Sequence, residues 1–227
     1  MGLTLGGCCC LGENAIELFA RIHVPLAERG VVVELMNGGV EAPNAVDADV
    51  LFACGLLTRE WIDDGRPFEI VAAPIFPGET SAVYRSVVVV RDDGPIDLAD
   101  AQTGTLAVNE YGSWSGWNGY VDDLRAHGLP VPSRRVLTGG HRNSATTVRE
   151  GLADVAAIDS SLWRWLPTEE RAGLRIVHET QDWPAPPFSL RHGTPEAART
   201  ALLDLANVVP ASVDAYDDML DRRTPIS

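Results

Sequence analysis

The sequence predicts an α/β fold with two lobes, and three observations support this prediction. Strand-like and helix-like segments alternate from the start of the chain, in the βαβ order that is typical of a parallel sheet. The loop "PGETSA" interrupts this order, and the longest β-branched run of the chain, "VYRSVVVVRDD", follows it. A second set of alternating strands and helices then continues to the proline-rich stretch "WPAPP".

The first set begins with the strand "LTLGG", the helix "ENAIELFARIHVPLAER" and the strand "VVVEL". The apolar segment "ADVLFACG" is predicted to be a third strand, and "REWIDDG" a short helix. A fourth strand, "FEIVAAPIF", leads into the loop.

The second set opens with the β-branched strand and the short helix "IDLADAQTG", whose first turn carries acidic residues. The strand "TLAVN" precedes a helix that we expect to start at Ser113 or Ser115. The strand "RRVLTGG", the helix "SATTVREGL" with Asn143 or Ser144 as its N-cap, and the strand "ADVAAID" come next. "LRIVHET" is the last clear strand, and the region around "PEAARTALLDLANVV" is predicted to be helical. Paired acids are predicted to lie on solvated faces and in turns, at positions 63–64, 92–93, 122–123 and 217–218.

These two sets predict lobe 1 from residues 1–82 plus 181–227 and lobe 2 from residues 83–180. The chain would cross between the lobes twice, near residues 83–91 and 174–184, so these segments are predicted to form a hinge. A cleft is expected between the lobes.

The chain of 227 residues carries 32 acidic and 18 basic residues, which give a formal net charge of −14. None of the basic residues is lysine, so lysine Schiff-base chemistry and a Walker-type phosphate loop are excluded. A chain this acidic is a poor candidate for binding nucleic acid or an anionic membrane, and no apolar run approaches the ~20 residues of a membrane helix. An anionic small molecule is compatible with the sequence if local donors outweigh the overall charge.

Three of the four cysteines are consecutive, Cys8, Cys9 and Cys10, and Cys54 stands apart. No C-x-x-C pair is present to predict a zinc ribbon. We interpret the run as buried small residues at the end of the first strand and expect no metal or cofactor; a thiolate metal or redox site is the alternative. The residues before Cys8 contain neither a positively charged nor an apolar signal region, so the chain as written predicts a cytoplasmic protein.

The turn "NEYGSWSGWNGY" follows the strand "TLAVN" and carries two serines at a predicted helix start. Unpaired N–H groups and the positive end of the helix dipole favour an oxyanion there, and the hydroxyls of Ser113 and Ser115 would add donors. Gly116 would permit close approach of a ligand. Ordinary N-capping by a serine is the alternative.

His141 and Asp159 are further candidate site residues. His141 lies between a strand and a helix, where it could donate to an anion or act as a structural hydrogen-bond partner. Asp159 ends the strand "ADVAAID", where it could cap the next helix or face a ligand. A triad of a serine, His141 and Asp159 is conceivable by residue type only, because the turn lacks a G-x-S-x-G elbow: Gly112 and Gly116 bracket Trp114.

Four segments, taken in order, are similar to the phosphate, phosphite and phosphonate solute-binding proteins of ABC transporters. They are "AAPIFPGETSAVYRSVVVVRDD", "LADAQTGTLAVNEYGSWSG", "VLTGGHRNSATTVREGLADVAAID" and "LRIVHETQDWPAPP", within residues 72–187. The resemblance implies the type 2 periplasmic-binding-protein fold, in which two α/β lobes are joined by a two-segment hinge with the ligand cleft between them. It also implies an extracytoplasmic location.

By this resemblance, the S-x-S-G turn holds the phosphonate oxygens, which implicates Ser113, the backbone of Trp114, Ser115 and Gly116. The family often has a small residue between the two serines, whereas this chain has Trp114. The departure implies a pocket reshaped for another ligand.

The resemblance also implies that His141 adds a donor and that the aromatic ring of Tyr84 lines the cleft. Members that bind aminoalkyl phosphonates place a carboxylate just after the "ADVA" strand, and Asp159 is the carboxylate that this chain offers.

The sequence therefore predicts a solute-binding protein that closes by hinge motion on a small phosphonate- or phosphate-like oxyanion, with an ABC permease as partner. The alternative is a cytoplasmic enzyme on the same scaffold that acts on a small anionic metabolite. A ligand-sensing regulatory subunit is a third alternative, although the sequence shows no DNA-binding helix pair.

Overall fold

The structure is a computed structural model of the chain, and it describes residues 2–7, 22–35 and 47–225. The chain divides into two compact units, unit 1 (Met1–Val83 with Pro184–Leu220) and unit 2 (Tyr84–Trp183 with Asp221–Ser227). Residues after 220, assigned to lobe 1 from the sequence, therefore group with unit 2. Cys8, Cys9 and Cys10 lie outside the described residues, so their predicted structural role stays a prediction.

Unit 1 opens with strands and helices in the predicted order. They are β1 (Gly2–Gly7), α1 (helical over residues 22–28), β2 (Val32–Leu35), β3 (Val50–Phe52), α2 (Gly55–Asp63) and β4 (Phe68–Pro74). The chain then passes into unit 2 along the short strand β5 (Val83–Tyr84).

Unit 2 alternates strands and helices over its whole length. Its elements are β6 (Ser86–Arg91), α3 (Leu98–Ala101), β7 (Thr105–Val108), a π-helical turn (Trp114–Asn118), α4 (Gly119–Ala126), β8 (Arg134–Leu137), α5 (His141–Arg149), β9 (Val155–Asp159), α6 (Ser160–Trp165), α7 (Thr168–Arg171) and β10 (Leu174–Glu179).

After β10 the chain forms three strands that the sequence did not reveal as it returns to unit 1. The last of them is Val208–Pro210, so the region "PEAARTALLDLANVV" is helical over Glu196–Leu203 and not, as predicted, to its end. The returning elements are β11 (Trp183–Pro184), β12 (Phe188–Arg191), α8 (Glu196–Leu203), β13 (Val208–Pro210), a 3₁₀ turn (Val213–Tyr216) and α9 (Asp217–Asp221). The expectation that "LRIVHET" is the last clear strand is wrong. β12 has only four residues, "FSLR", and forms a strand because β3 and β4 pair with it on both sides.

Each unit is built on one mixed sheet. In unit 1 the strand order is β13-β4-β12-β3-β1-β2, with β2, β1 and β3 parallel and β12 antiparallel to β3 and β4. In unit 2 the order is β10-β6-β9-β7-β8, with β9, β7 and β8 parallel and β6 antiparallel to β9 and β10. β5 and β11 form a separate two-stranded sheet. The mixed α/β prediction is confirmed.

The sheet of unit 2 is covered on both faces, as the run "SVVVV" of β6 shows. Val87 and Val89 belong to one hydrophobic cluster, with residues of α5 and α6. Val88 and Val90 belong to the other, with residues of α4. A strand buried on both faces reads as a continuous apolar run, which is why this strand was predictable from the sequence.

One surface prediction fails. Asp123 was expected on a solvated face, but its side chain is only 6% exposed, because His178 of β10 and His127 contact its carboxylate. Within the described residues, no helix combines the length and the apolar character needed to cross a membrane.

Candidate functional site

The candidate site lies where the parallel strands of unit 2 end. Strand β7 leads into Asn109 and the turn that starts at Ser113, β8 leads through Gly140 into α5, and β9 ends at Asp159, directly before α6. Because parallel strands point the same way, these three helix starts share one edge of the sheet. Helix starts on such an edge are the usual place for an anionic ligand in an open α/β sheet.

Ser113 shapes the first of these helix starts. Its hydroxyl oxygen accepts a hydrogen bond from the backbone N–H of Gly116 at 3.1 Å, and its carbonyl accepts from the backbone N–H of Asn118 at 3.1 Å. The second contact spans five residues and makes the turn π-helical. The side-chain amide of Asn118 also donates to the carbonyl oxygens of Ser113 and Tyr111, at 2.9 and 3.0 Å. The helix therefore starts where the sequence predicted, with Ser113 as its cap.

Gly116 leaves space that a neighbouring side chain fills. A Cβ atom at this position would lie 1.7 Å from Oδ1 of Asn109, which is fully buried. Only glycine therefore allows the turn and Asn109 to approach each other this closely.

Ser115, His141 and Asn109 form a buried polar cluster. The Ser115 hydroxyl oxygen lies 3.0 Å from Nε2 of His141, and the Asn109 amide nitrogen lies 3.3 Å from the same Nε2. All three residues are at least 96% buried. The structure thus brings together two of the residues predicted from the sequence, and it adds Asn109.

The imidazole of His141 is kept neutral by its surroundings. Burial lowers the pKa of His141, while the nearby carboxylate of Asp159 and the backbone carbonyl of Ala157 oppose this shift. A neutral imidazole has one donor and one acceptor nitrogen, so Nε2 of His141 either donates to the Ser115 oxygen or accepts from its neighbours, and His141 adds no full charge.

Helix α5 begins at His141, three residues before the predicted start of this helix. Gly140 occupies the N-cap position and has no side chain with which to cap the first turn. The expectation that Asn143 or Ser144 is the N-cap is wrong: the Asn143 amide donates to the carbonyl of Thr138, and the Ser144 hydroxyl donates to the carbonyl of Gly140.

Ser86 fixes the turn from the neighbouring strand. Its hydroxyl donates to the backbone carbonyl of Ser115 at 2.7 Å, and it lies opposite Asp159 in the register of β6 and β9. Sequence reasoning missed Ser86 and Asn109. The sequence signal for both residues is a polar side chain at the end of a buried apolar run. Ser86 precedes the valines of β6, and Asn109 follows the last residue of β7.

Asp159 caps helix α6. One carboxylate oxygen accepts from the backbone N–H groups of Ser161 and Leu162, at 2.7 and 3.2 Å, and from the Ser161 hydroxyl at 2.5 Å. Of the two alternatives that the sequence left open for Asp159, capping is thus observed. The triad is not favoured, because these contacts direct the carboxylate to α6.

Two aromatic candidates are buried. The Trp114 ring meets the Trp183 ring edge to face at a centroid distance of 4.5 Å, so the side chain packs against the strand β11. Tyr84 is 1% exposed at the end of β5, two residues before Ser86. Both residues therefore border the segments through which the chain passes between the units.

Comparison with known proteins identifies the family. Residues 29–208 match the family model of the ABC transporter phosphonate periplasmic substrate-binding protein. The chain belongs to this family. No match was found among curated proteins.

Solved structures of phosphonate-binding proteins share the fold of this family member. One is PhnD1 from Prochlorococcus marinus in complex with methylphosphonate, with a TM-score of 0.80, 14% identity and coverage of 97% of this chain and 96% of that chain. Another is the binding protein component of an ABC phosphonate transporter from Pseudomonas aeruginosa, with a TM-score of 0.71, 17% identity and coverage of 96% and 83%. An ancestral arginine-binding protein bound to arginine is also similar, with a TM-score of 0.60, 18% identity and coverage of 99% and 98%.

These matches confirm the type 2 periplasmic-binding-protein fold and the solute-binding interpretation of the sequence. They give no support to the alternative of an enzyme on the same scaffold.

Proposed function

We propose that this family member binds a small phosphonate- or phosphate-like oxyanion at the Ser113–Ser115 turn and His141. The observation that carries the proposal is the buried contact between Ser115 and His141, placed between two helix starts on one edge of the sheet. The methylphosphonate bound by the structurally similar PhnD1 supports the ligand class.

The local electrostatics favour an anion despite the overall charge of −14. The N-cap residue of α5 is Gly140, which has no side chain to cap the first turn, and the Ser113 hydroxyl caps the Gly116 N–H of its own turn. Backbone N–H groups at helix starts attract anions, and in the tautomer in which Nε2–H of His141 donates to the Ser115 oxygen, the Ser115 O–H is left as a further donor. Dipoles and donors arranged in this way can hold an oxyanion without a cationic side chain.

The remaining predicted residues receive secondary roles in the proposal. Gly116 keeps the turn close to Asn109, Trp114 contributes its backbone N–H, and Tyr84 contributes its aromatic ring to the ligand site. Asp159 orients α6 and, for a ligand that carries an ammonium group, would meet that group. Closure about the two crossover segments and delivery to an ABC permease follow from the family, and both are part of the proposal.

Titration calorimetry with methylphosphonate and with inorganic phosphate tests the proposal. Hydrogen bonds to a charged group contribute ~1.5–3 kcal/mol, so Ser115→Ala and His141→Ala should each weaken binding roughly ten- to hundredfold. Ser133→Ala and His192→Ala remove the same groups at exposed positions and should leave the affinity unchanged.

Two results would overturn the proposal. The first is that wild-type protein binds neither compound. The second is that the Ser115 and His141 variants, folded by circular dichroism, bind as tightly as wild type, because these residues would then be helix and core partners only.

A further inference from the structure

Unit 2 contains a second cluster of polar side chains, away from the turn. Asp123 and His127 lie one turn apart near the end of α4, and His178 lies on β10. His178 Nε2 is 2.7 Å from a carboxylate oxygen of Asp123, and His127 Nδ1 is 3.5 Å from the same oxygen. One ring nitrogen of each histidine and one oxygen of Asp123 all lie within 4.8 Å of one another.

The Asp123 carboxylate contacts the imidazoles of His127 and His178. The acid that precedes Asp123 in the sequence, Asp122, contacts Arg222 and the Gln181 amide instead, both at 3.3 Å. Within the part of the chain that the structure describes, Asp123 forms ion pairs only with His127 and His178.

We propose that Asp123, His127 and His178 form a binding site for a divalent transition metal ion, with Zn²⁺ as the reference ion. Two imidazole nitrogens and one carboxylate oxygen are a donor set that suits Zn²⁺. Ligand atoms about 2.0–2.1 Å from a tetrahedral zinc ion lie about 3.4 Å apart, so the three side chains must move closer together than their present separations of up to 4.8 Å. His127 must also release the hydrogen bond between its Nδ1 and the backbone carbonyl of Asp123, which is 2.8 Å long.

The exposure of the three side chains fits such a site. Asp123 is 6% exposed, His178 22% and His127 49%, so the cluster is anchored in the unit but open to solvent on the side of His127. An ion can enter from that side, and a fourth position is left for water or for a ligand from outside. Three protein ligands with an open coordination position are typical of catalytic zinc sites, whereas structural zinc sites have four protein ligands.

Occupation of the site would join two elements that matter for the candidate ligand site. Helix α4 continues directly from the π-helical turn that contains Ser115, and β10 leads toward the crossover strand β11. A metal ion would tie the end of α4 to β10 and stabilise unit 2.

Calorimetric titration of the EDTA-treated full chain with ZnCl₂ tests the proposal, with Co²⁺ absorption as a second readout. We expect one Zn²⁺ per chain, visible bands of four-coordinate Co²⁺, and at least tenfold weaker binding in His127→Gln and in His178→Gln. His127 is half-exposed, so its replacement should not unfold the protein. His192→Gln, at an exposed position of unit 1, should bind Zn²⁺ as wild type does.

The consecutive cysteines provide the competing explanation for zinc binding, and a variant separates the two. A triple Cys8→Ser, Cys9→Ser, Cys10→Ser variant should keep the wild-type Zn²⁺ affinity. Loss of Zn²⁺ binding in that variant, wild-type affinity in both histidine variants, or no Zn²⁺ binding by wild type would each overturn the proposal.

Discussion

The sheets of the two units share one strand arrangement. Each has three parallel strands, β2-β1-β3 in unit 1 and β8-β7-β9 in unit 2, beside a central antiparallel strand. That antiparallel strand, β12 in unit 1 and β6 in unit 2, directly follows a crossover strand in both cases. The two units therefore offer a helix start at the same place, after the third parallel strand.

The side chains at these two helix starts differ. In unit 1, β3 leads through Cys54, which is buried, to α2, whose first turn has no side-chain cap. In unit 2, β9 ends at Asp159, whose carboxylate caps α6, and Ser86 lies opposite it. The comparison teaches that the topology supplies the helix start, while the residue placed there decides whether its first N–H groups are already taken by a side chain, as Asp159 takes those of α6.

The largest effect is expected from Gly116→Ala, which disrupts the buried cluster of Ser115, His141 and Asn109 in unit 2. The added Cβ would lie 1.7 Å from Oδ1 of Asn109, so the buried amide must leave its contact with His141. We expect a loss of about 1–3 kcal/mol in the free energy of unfolding and at least tenfold weaker methylphosphonate binding. Urea denaturation and calorimetry measure the two quantities.

Gly112→Ala is the matched control, because a Cβ there meets nothing within 4 Å. It should behave as wild type in both measurements. Wild-type affinity in Gly116→Ala would show that the close approach of the turn to Asn109 does not support binding.

Gly55→Ala makes the corresponding change at the helix start of unit 1 and sharpens the comparison. Its Cβ would lie 2.4 Å from the ring of Tyr216, whose hydroxyl donates to the carbonyl of Ala185 and so holds the ring in place. We expect a loss of about 1–3 kcal/mol in the free energy of unfolding, reduced by up to ~1 kcal/mol because alanine favours the helix. Methylphosphonate affinity should change less than threefold. A loss of affinity as large as that of Gly116→Ala would mean that the two helix starts are not functionally distinct.

The two central antiparallel strands also show what could be predicted from the sequence. β6 was predictable because four consecutive valines are buried on both faces of the sheet, and a β-branched run of this kind indicates a strand by itself. β12, "FSLR", carries no such local signal. It forms a strand through pairing with β3 and β4, which lie far away in the sequence. The fold class was thus predictable, whereas the strands that depend on tertiary pairing were not.

The candidate site shows the same division. Ser113, Ser115 and His141 were predictable as candidate residues because hydroxyls, glycines and a histidine at strand ends form a local pattern. Asn109 and Ser86 act through distant partners, His141 and the Ser115 carbonyl, that no spacing along the chain reveals. The burial of Asp123 was missed for the same reason, since His178 lies 55 residues away.

The smallest expected effect is the pH dependence that His141 adds to the stability of unit 2. Burial lowers the pKa of His141 in the folded protein, whereas a histidine in the unfolded chain titrates near 6.5. Below that pH the unfolded chain therefore binds more protons than the folded one, and stability falls as the pH is lowered.

His141→Gln removes this dependence, so the difference in the free energy of unfolding between wild type and variant should shrink between pH 7.5 and 5.5. One proton limits the effect to about 1.4 kcal/mol per pH unit. Urea denaturation at a series of pH values measures it, with the exposed His192→Gln as the control for removing an imidazole. A difference that stays constant over this range would mean that His141 takes up its proton in the folded protein as readily as in the unfolded chain. His141 would then be a cation in the candidate site when the pH falls below 6.5, and not the neutral imidazole that its lowered pKa indicates.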